Sequence, residues 1–494
     1  MANDIIHGKF EHNGKAYPFF LSDHIITITQ TPREFNTDFS GISHFDYLKG
    51  VTNNNKYIFL LDCDTVGGPL AQISSNLQFV CKGYALSSSS SDCYDRIEFS
   101  SPALNGFYSP RRAIEIERDE VRFGARGLTF KNYEDTSHDF SCKINGEHIG
   151  CTLAFRSSVT LKPEDSSIGS VNTTLSMKFS DPKPVTDLAK YYLYLHDFLV
   201  FVNFRADVPI DDVALYGKVE NGKYTKFGTA KFFQNDCSQY AADARHSISY
   251  NDLPDDCIPK VLSVIAERRE QDSYNPFFIP SDGKDARYFD SAKWLIAAIS
   301  FEGEFNRKYK DFKYETDEKF RAAKDLLLNT IDQAASASGF SINNKVNAAW
   351  NSFRNLISHT DTTIKEKFKF CVDRYADEIA PLIEKYARIQ GVDKNTDFAQ
   401  AYADYRNRTA HGSIPPISKT ETITFQLLNC FIYVLILEQG DVPHEKIKEI
   451  LLRMFWGDLN ISKKAERQLA PPFYISTTSD SFFMRSDSGP HRFA

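Results

Sequence analysis

Over roughly the first 270 residues, apolar and polar positions tend to alternate with the period of a half-buried strand. Ile114-Glu115-Ile116-Glu117 and Val121-Arg122-Phe123 carry this rhythm. Asn13-Gly14 and Asn145-Gly146 each stand between strand-like runs, the combination that closes a tight hairpin. Ser87 to Ser91 reads as a loop, and short helices are expected near Asp187–Val202. The region predicts an all-β sandwich or a pair of β modules.

The rhythm changes after Tyr274-Asn275-Pro276 and Ile279-Pro280-Ser281-Asp282-Gly283, a hinge marked by proline and glycine. From Phe289 onward, apolar residues recur at three- and four-residue steps, as in Trp294, Leu295, Ala298, Phe301 and Phe305. Further helices are expected over 320–334, 346–358, 363–390 with a break before Pro381, 398–410 and 420–438. Short connections favour antiparallel neighbours, hence a bundle. The reading is an α+β multidomain chain. A β-rich, sandwich-like region spans 1–275, an all-α helical bundle 285–460, and a tail rich in Ser, Pro and Asp 461–494.

Composition narrows the functions available. The 494 residues carry a net charge of -7, which argues against a general basic coat for nucleic acid. Residues 281–470 hold 28 basic and 27 acidic side chains, so most of the negative charge lies in the β-rich part. Any RNA chemistry must therefore rest on a local site. Nine cysteines without a CxxC pair point to reduced thiols rather than a disulfide framework. The start, Met1-Ala2-Asn3-Asp4, lacks the basic and apolar stretches of a secretion signal. The most apolar run, Phe425 to Leu437, is broken by Gln426 and Asn429 and falls short of the ~20 residues a bilayer span needs. A cytoplasmic protein with no membrane partner is expected.

The sharpest chemistry lies in Tyr405-Arg406-Asn407-Arg408-Thr409-Ala410-His411-Gly412. A helix built on Phe398, Tyr402 and Tyr405 should end here, because Gly412 suits the position after a helix and Pro415-Pro416 cannot continue it. Asn407 and His411 are four apart and share a helical face, and the long side chain of Arg406 can bend towards them. A guanidinium, a carboxamide and an imidazole at a helix end can bind a phosphodiester and move its protons. Arg-x(4–6)-His also occurs at Arg354/His359 and at Arg485/His491, and only Arg406 and Arg354 are followed directly by Asn. Arg354-Asn355 belongs to a core-stripe helix with Trp350, Phe353, Leu356 and Ile357, and no long apolar helix follows it directly.

An Arg-Asn-x-x-x-His element in a helical bundle, followed by a final apolar helix, resembles the HEPN ribonuclease superfamily. A long β-rich part ahead of such a bundle is similar in layout to the ApeA-like anti-phage HEPN proteins. The resemblance implies a metal-independent endoribonuclease that needs no cofactor. It also implies a homodimer or higher homo-oligomer in which two motifs form a composite site. Cleavage of tRNA anticodon loops in response to a phage-derived trigger is part of the same implication. Arg406, Asn407 and His411 take the catalytic positions. Arg406 would hold the scissile phosphate, His411 would exchange a proton with the 2′-hydroxyl or the leaving 5′-oxygen, and Asn407 would orient either. Arg408 is expected to touch the RNA backbone, and Glu302 or Glu304 to reach the motif arginine.

Two other clusters carry candidate chemistry. Tyr57–Asp62-Cys63-Asp64 resembles the Asp-x-Asp strand end of haloacid-dehalogenase phosphatases, but that chemistry requires a doubly wound parallel sheet, and the flanks read as antiparallel β. Cys237, His246 and Cys257 are three potential zinc ligands at irregular spacing. No metal site is expected. The alternative to an enzyme is a non-catalytic bundle serving as a scaffold, with the β-rich part binding a ligand or phage component.

Overall fold

The computed structural model describes residues 5–29, 39, 42–66, 76–118, 125–159, 169–233, 237, 240–241, 243, 245–271, 276–310, 312, 318–337, 344–358, 363–410, 415–456 and 460–461. Strands β1 (Ile6–His12), β2 (Lys15–Ser22), β3 (Ile25–Thr29), β4 (His44–Thr52), β5 (Tyr57–Thr65) and β6 (Asn76–Ser87) pair antiparallel in the order β6-β3-β2-β1-β4-β5. A further pairing of β5 with β6 closes them into a barrel. In β1 and β2, inward Phe10, Tyr17, Phe19 and Leu21 alternate with exposed Lys9, Glu11 and Pro18, as the period-two pattern requires. Asn13 and Gly14 turn between them with φ of 51° and 75°, the left-handed conformations of a two-residue hairpin. Gly8 permits β1 to cross β4 closely, since a Cβ there would lie 2.5 Å from the Val51 carbonyl oxygen.

The sheet continues past the barrel. The upper half of β6 also pairs with β14 (Tyr224–Phe232), followed by β13 (Asp212–Lys218), β7 (Cys93–Ser100), β12 (Gly169–Pro184), β11 (Glu147–Val159) and β10 (His138–Ile144). Strands β8 (Ile114–Arg118) and β9 (Ala125–Phe130) form a separate antiparallel ribbon. Asn145-Gly146 turns β10 into β11 with φ of 49° and 82°, as expected. The β-rich region is thus a barrel fused edge-on to an open sheet. Sequence alone does not report the β5–β6 pairing that decides closure.

Helix α1 (Leu188–Asn203) lies where a helix was expected, whereas α2 (Cys257–Glu270) falls in a stretch read as strands and turns. Tertiary packing explains it: Val261, Leu262, Ile265 and Ala266 are buried, and α2 packs against α1, β10 and the bundle. The bundle comprises α3 (Ser291–Lys308), α4 (Glu318–Ala337), α5 (Asn344–Ser358), α6 (Ile364–Arg374), α7 (Ala376–Gln390), α8 (Phe398–Ala410), α9 (Lys419–Gln439) and α10 (His444–Met454). The expected break before Pro381 comes earlier, at Tyr375, and Pro381 lies inside α7. Tyr375 is fully buried with its hydroxyl on Glu438, so the tertiary contact sets the break, and the proline costs only one early backbone bond.

α9 opens with a capping box, Ser418 with Glu421, and buries every residue from Thr422 to Leu437. It is long and apolar enough to cross a bilayer, yet 94% of its most apolar window is buried against the rest of the protein. It is the bundle's central helix. Each large apolar side chain buried there contributes about 1.5–3 kcal/mol. One apolar core runs from the open sheet through α1 and α2 into α9. Phe201 stacks on Tyr433 at 4.4 Å between ring centroids, and the Tyr433 hydroxyl donates to the Phe201 carbonyl at 2.5 Å. Short β15 (Tyr288–Phe289) and β16 (Asn460–Ile461) pair in parallel at the bundle's edge. The rest of the expected tail, including Arg485 and His491, lies outside the described residues.

Candidate active site

α8 is anchored by aromatic packing on one face. Tyr405 meets Trp294 of α3 edge-to-face at 4.6 Å, and Tyr402 stacks on Phe368 of α6 at 4.8 Å. Trp294 donates from its indole nitrogen to the Glu421 carbonyl at 3.1 Å, fixing α3 against the start of α9. The Tyr405 hydroxyl meets that of Ser291 at 2.9 Å. These contacts fix the rotation of α8, and with it the direction in which Arg406 leaves the helix.

Arg406 lies one turn beyond Tyr402 and points at Glu302 of α3. Its Nε donates to Oε1 at 3.1 Å and its Nη2 to Oε2 at 3.4 Å, while the Tyr402 hydroxyl donates to the same Oε1 at 3.2 Å. Burial holds the Tyr402 phenol well above its ordinary pKa, and the charge of Glu302 adds to this, so the phenol stays a donor. Glu302 and Arg406 keep 19% and 28% of their side-chain surface exposed, so the pair is sheltered but reachable. Two of the five guanidinium donors are used, and Nη1 has no partner among the described residues. An arginine tethered at one edge in this way presents the other edge to a phosphate.

Of the two glutamates considered, Glu302 reaches the motif arginine. Glu304 turns the other way, 2.7 Å from Arg268 of α2 and 2.7 Å from Arg307. Burial raises its carboxyl above the ordinary value, and the two guanidinium groups only partly offset this. Glu304 is therefore a joint between α3 and the β-rich half.

Asn407 is exposed, with no side-chain partner among the described residues. Arg408, expected to contact RNA, sits over the Tyr405 ring, 3.5 Å from Glu421, with Nε donating to the Asp404 carbonyl at 3.3 Å. Half of its side chain remains open. The described part of α8 ends at Ala410, and His411 lies outside the described residues, as does His359. Arg354 pairs with Asp332 across the α4–α5 hairpin at 2.9 Å. It has no part in the Arg406 cluster.

Lys367 belongs to no motif in the sequence. It extends from α6 to Asn306 at 2.8 Å, and burial lowers its ammonium pKa, with Glu302 pulling the other way. Its position on α6, far from the motif in sequence, hid it.

Neither of the other two clusters has the arrangement considered for it. β5 runs antiparallel to both β4 and β6, so the parallel sheet needed by the phosphatase chemistry does not exist around Asp62. Asp62 instead pairs with Lys82 and lies near His44 and Asp64 on the barrel surface. His246 bonds through Nδ1 to the Met454 carbonyl at 2.8 Å and the Cys257 thiol sits on the Asp441 carbonyl, and among the described residues Cys237, His246 and Cys257 are not gathered within ligand distance of one another.

Comparison with known proteins finds one family model, ApeA N-terminal domain 1, which matches residues 19–260. That stretch covers most of the barrel, the open sheet, α1 and the start of α2. No curated protein and no solved structure matches the chain.

Proposed function

We propose, from the premise that this is an ApeA-like chain and hence an anti-phage defence protein of that type, that its helical half is a HEPN-type endoribonuclease. The observation that carries the reading is the Arg406–Glu302 pair. A fixed carboxylate holds the guanidinium of an Arg-Asn-x-x-x-His element at one edge and leaves the other edge open. That arrangement suits a phosphodiester.

In this mechanism Arg406 binds the scissile phosphate and stabilises the charge that grows on its oxygens. The 2′-hydroxyl loses its proton to a base and attacks the adjacent phosphorus. The O2′–P bond forms and the P–O5′ bond breaks, and the leaving 5′-oxygen takes a proton from an acid. The products are a 2′,3′-cyclic phosphate and a 5′-hydroxyl. His411 supplies the base or the acid, and a second copy of the chain supplies the other imidazole across a two-fold axis. Asn407, beside Arg406 and open to solvent, orients the imidazole or the phosphate. The step needs no metal, and because it uses the 2′-hydroxyl the substrate is RNA. Looped RNA such as tRNA fits best, since an A-form duplex hides its base edges.

Incubating the purified protein with total tRNA and mapping product ends tests the reading. Cyclic phosphate ends, absent with His411→Ala, are expected. Cleavage that leaves 3′-hydroxyl ends, or that survives His411→Ala unchanged, would overturn it.

A further inference from the structure

A cavity of about 1290 Å³ lies where the β-rich half meets the bundle, walled by α1 and its following loop, residues 276–288, one face of α9 and the end of α10. It is larger than the roughly 300–1,000 Å³ of an ordinary ligand pocket. Arg406 and Glu302 do not line it.

Aromatic rings form one part of its wall, and its charges largely cancel in pairs. Phe278, Phe425 and Phe455 supply apolar surface. Arg205 is bound to Asp207, Arg269 to Asp197 and Lys293 to Asp285, which leaves these cations little charge to offer a ligand. Two carboxamides interrupt the apolar lining. Gln426 and Asn429 are three apart on α9, so both face the cavity. They are 6% and 2% exposed. Gln426 has no side-chain hydrogen bond among the described residues, and Asn429 Oδ1 is buried without a donor. Unpaired amides are rarely kept in the core of a central helix unless something else completes them. At the rim, the exposed guanidinium of Arg287 has no ion-pair partner among the described residues.

An acyl chain would fill the aromatic part and leave both amides unpaired. A simple anion would find only the rim. A planar heteroaromatic ring with donors and acceptors along its edge satisfies the amides and stacks on the phenyl rings, because carboxamides pair well with base edges. An attached phosphate would reach Arg287. We propose that this cavity is a nucleotide-binding site, with the base against Gln426 and Asn429 and the phosphate at Arg287. Because its walls come from both halves, a bound nucleotide ties the β-rich region to the central helix of the bundle.

The test is calorimetric titration and thermal melting of the intact protein with AMP, GMP, CMP and UMP, with the matching nucleosides and inorganic phosphate as controls. At least one nucleotide should bind with a Kd below roughly 1 mM and raise the melting temperature. Asn429→Leu and Gln426→Leu should each weaken binding about tenfold, the effect of losing one hydrogen-bonding group. Arg287→Ala should weaken the nucleotide but not its nucleoside, and being at the rim it leaves the fold intact. Binding should persist in Arg406→Ala, which separates this cavity from the RNA site. No binding by any of the four, or binding unchanged in both amide variants, would overturn the proposal, as would binding lost in Arg406→Ala.

Discussion

The Arg406 guanidinium and the Glu302 carboxylate meet edge to edge across α8 and α3, with nitrogen–oxygen distances of 3.1 and 3.4 Å. The two residues are 104 apart in sequence. Because both sit on helices clamped by Trp294, the carboxylate limits the directions the guanidinium can take, and Tyr402 fixes the carboxylate in turn. A pre-aimed arginine loses less freedom on binding a phosphate than a free one.

Glu302→Gln should therefore slow RNA cleavage by about tenfold, the order expected when a charge-assisted hydrogen bond to a positioning group is lost. The denaturation midpoint should hardly move. An unchanged cleavage rate in a folded Glu302→Gln protein would show that the carboxylate does not position Arg406.

Arg354 provides the control within the same sequence pattern. Its partner Asp332 is half exposed, as it is itself, and such surface pairs contribute about 0–1 kcal/mol. Arg354→Ala should cleave RNA within about twofold of the parent protein. A loss as large as that of Arg406→Ala would move the site to the α4–α5 hairpin.

Cleavage should survive EDTA, because attack by the 2′-hydroxyl supplies its own nucleophile. Asp62→Asn should be equally neutral, since Asp62 lies on the barrel surface paired with Lys82. Rates measured with and without chelator, in both proteins, check this directly.

Tyr433 stacks on Phe201 and bonds to its carbonyl at the centre of the joint between the halves. Tyr433→Ala should cost about 3–5 kcal/mol, as truncation of a buried aromatic does. Guanidinium denaturation should show the loss in a single shared transition. If the β-rich signal were unaffected while the helical signal shifted, the two halves would be energetically separate.

Asp252 and Arg453 form a second tie, with both guanidinium ends on the carboxylate. Burial alone would raise the Asp252 pKa, but Arg453 and Ser249 hold it below the ordinary 3.8. A depressed carboxyl contributes stability above its unfolded pKa and loses it as pH falls through the folded value. Asp252→Asn should thus be clearly less stable near pH 6, and the gap should close towards roughly pH 3. A gap that stayed constant with pH would exclude the linkage.

Local pattern reached a long way into this protein. Period-two alternation and Asn-Gly turns marked the strands and hairpins of the first half. Three- and four-residue steps marked the bundle helices, and α8 spans the stretch expected of it. These features depend on neighbours within a turn or a hairpin, so the chain carries them locally. Where a distant contact competes with local preference, the pattern misleads. α2 lies in a stretch that reads as strands and turns until its apolar face meets α1 and α9, and the helix break sits at Tyr375, not Pro381, because Glu438 receives the Tyr375 hydroxyl.

By itself the sequence determined the order of a β-rich half and a helical half, and the helix that carries Arg406 and Asn407. It could name Glu302 and Glu304 together but not choose between them. Two residues apart on a helix is about 200° of rotation, so one faces α8 and the other faces α2. The tertiary structure made that choice, along with barrel closure and the cavity at the joint, because each depends on segments that only packing brings together.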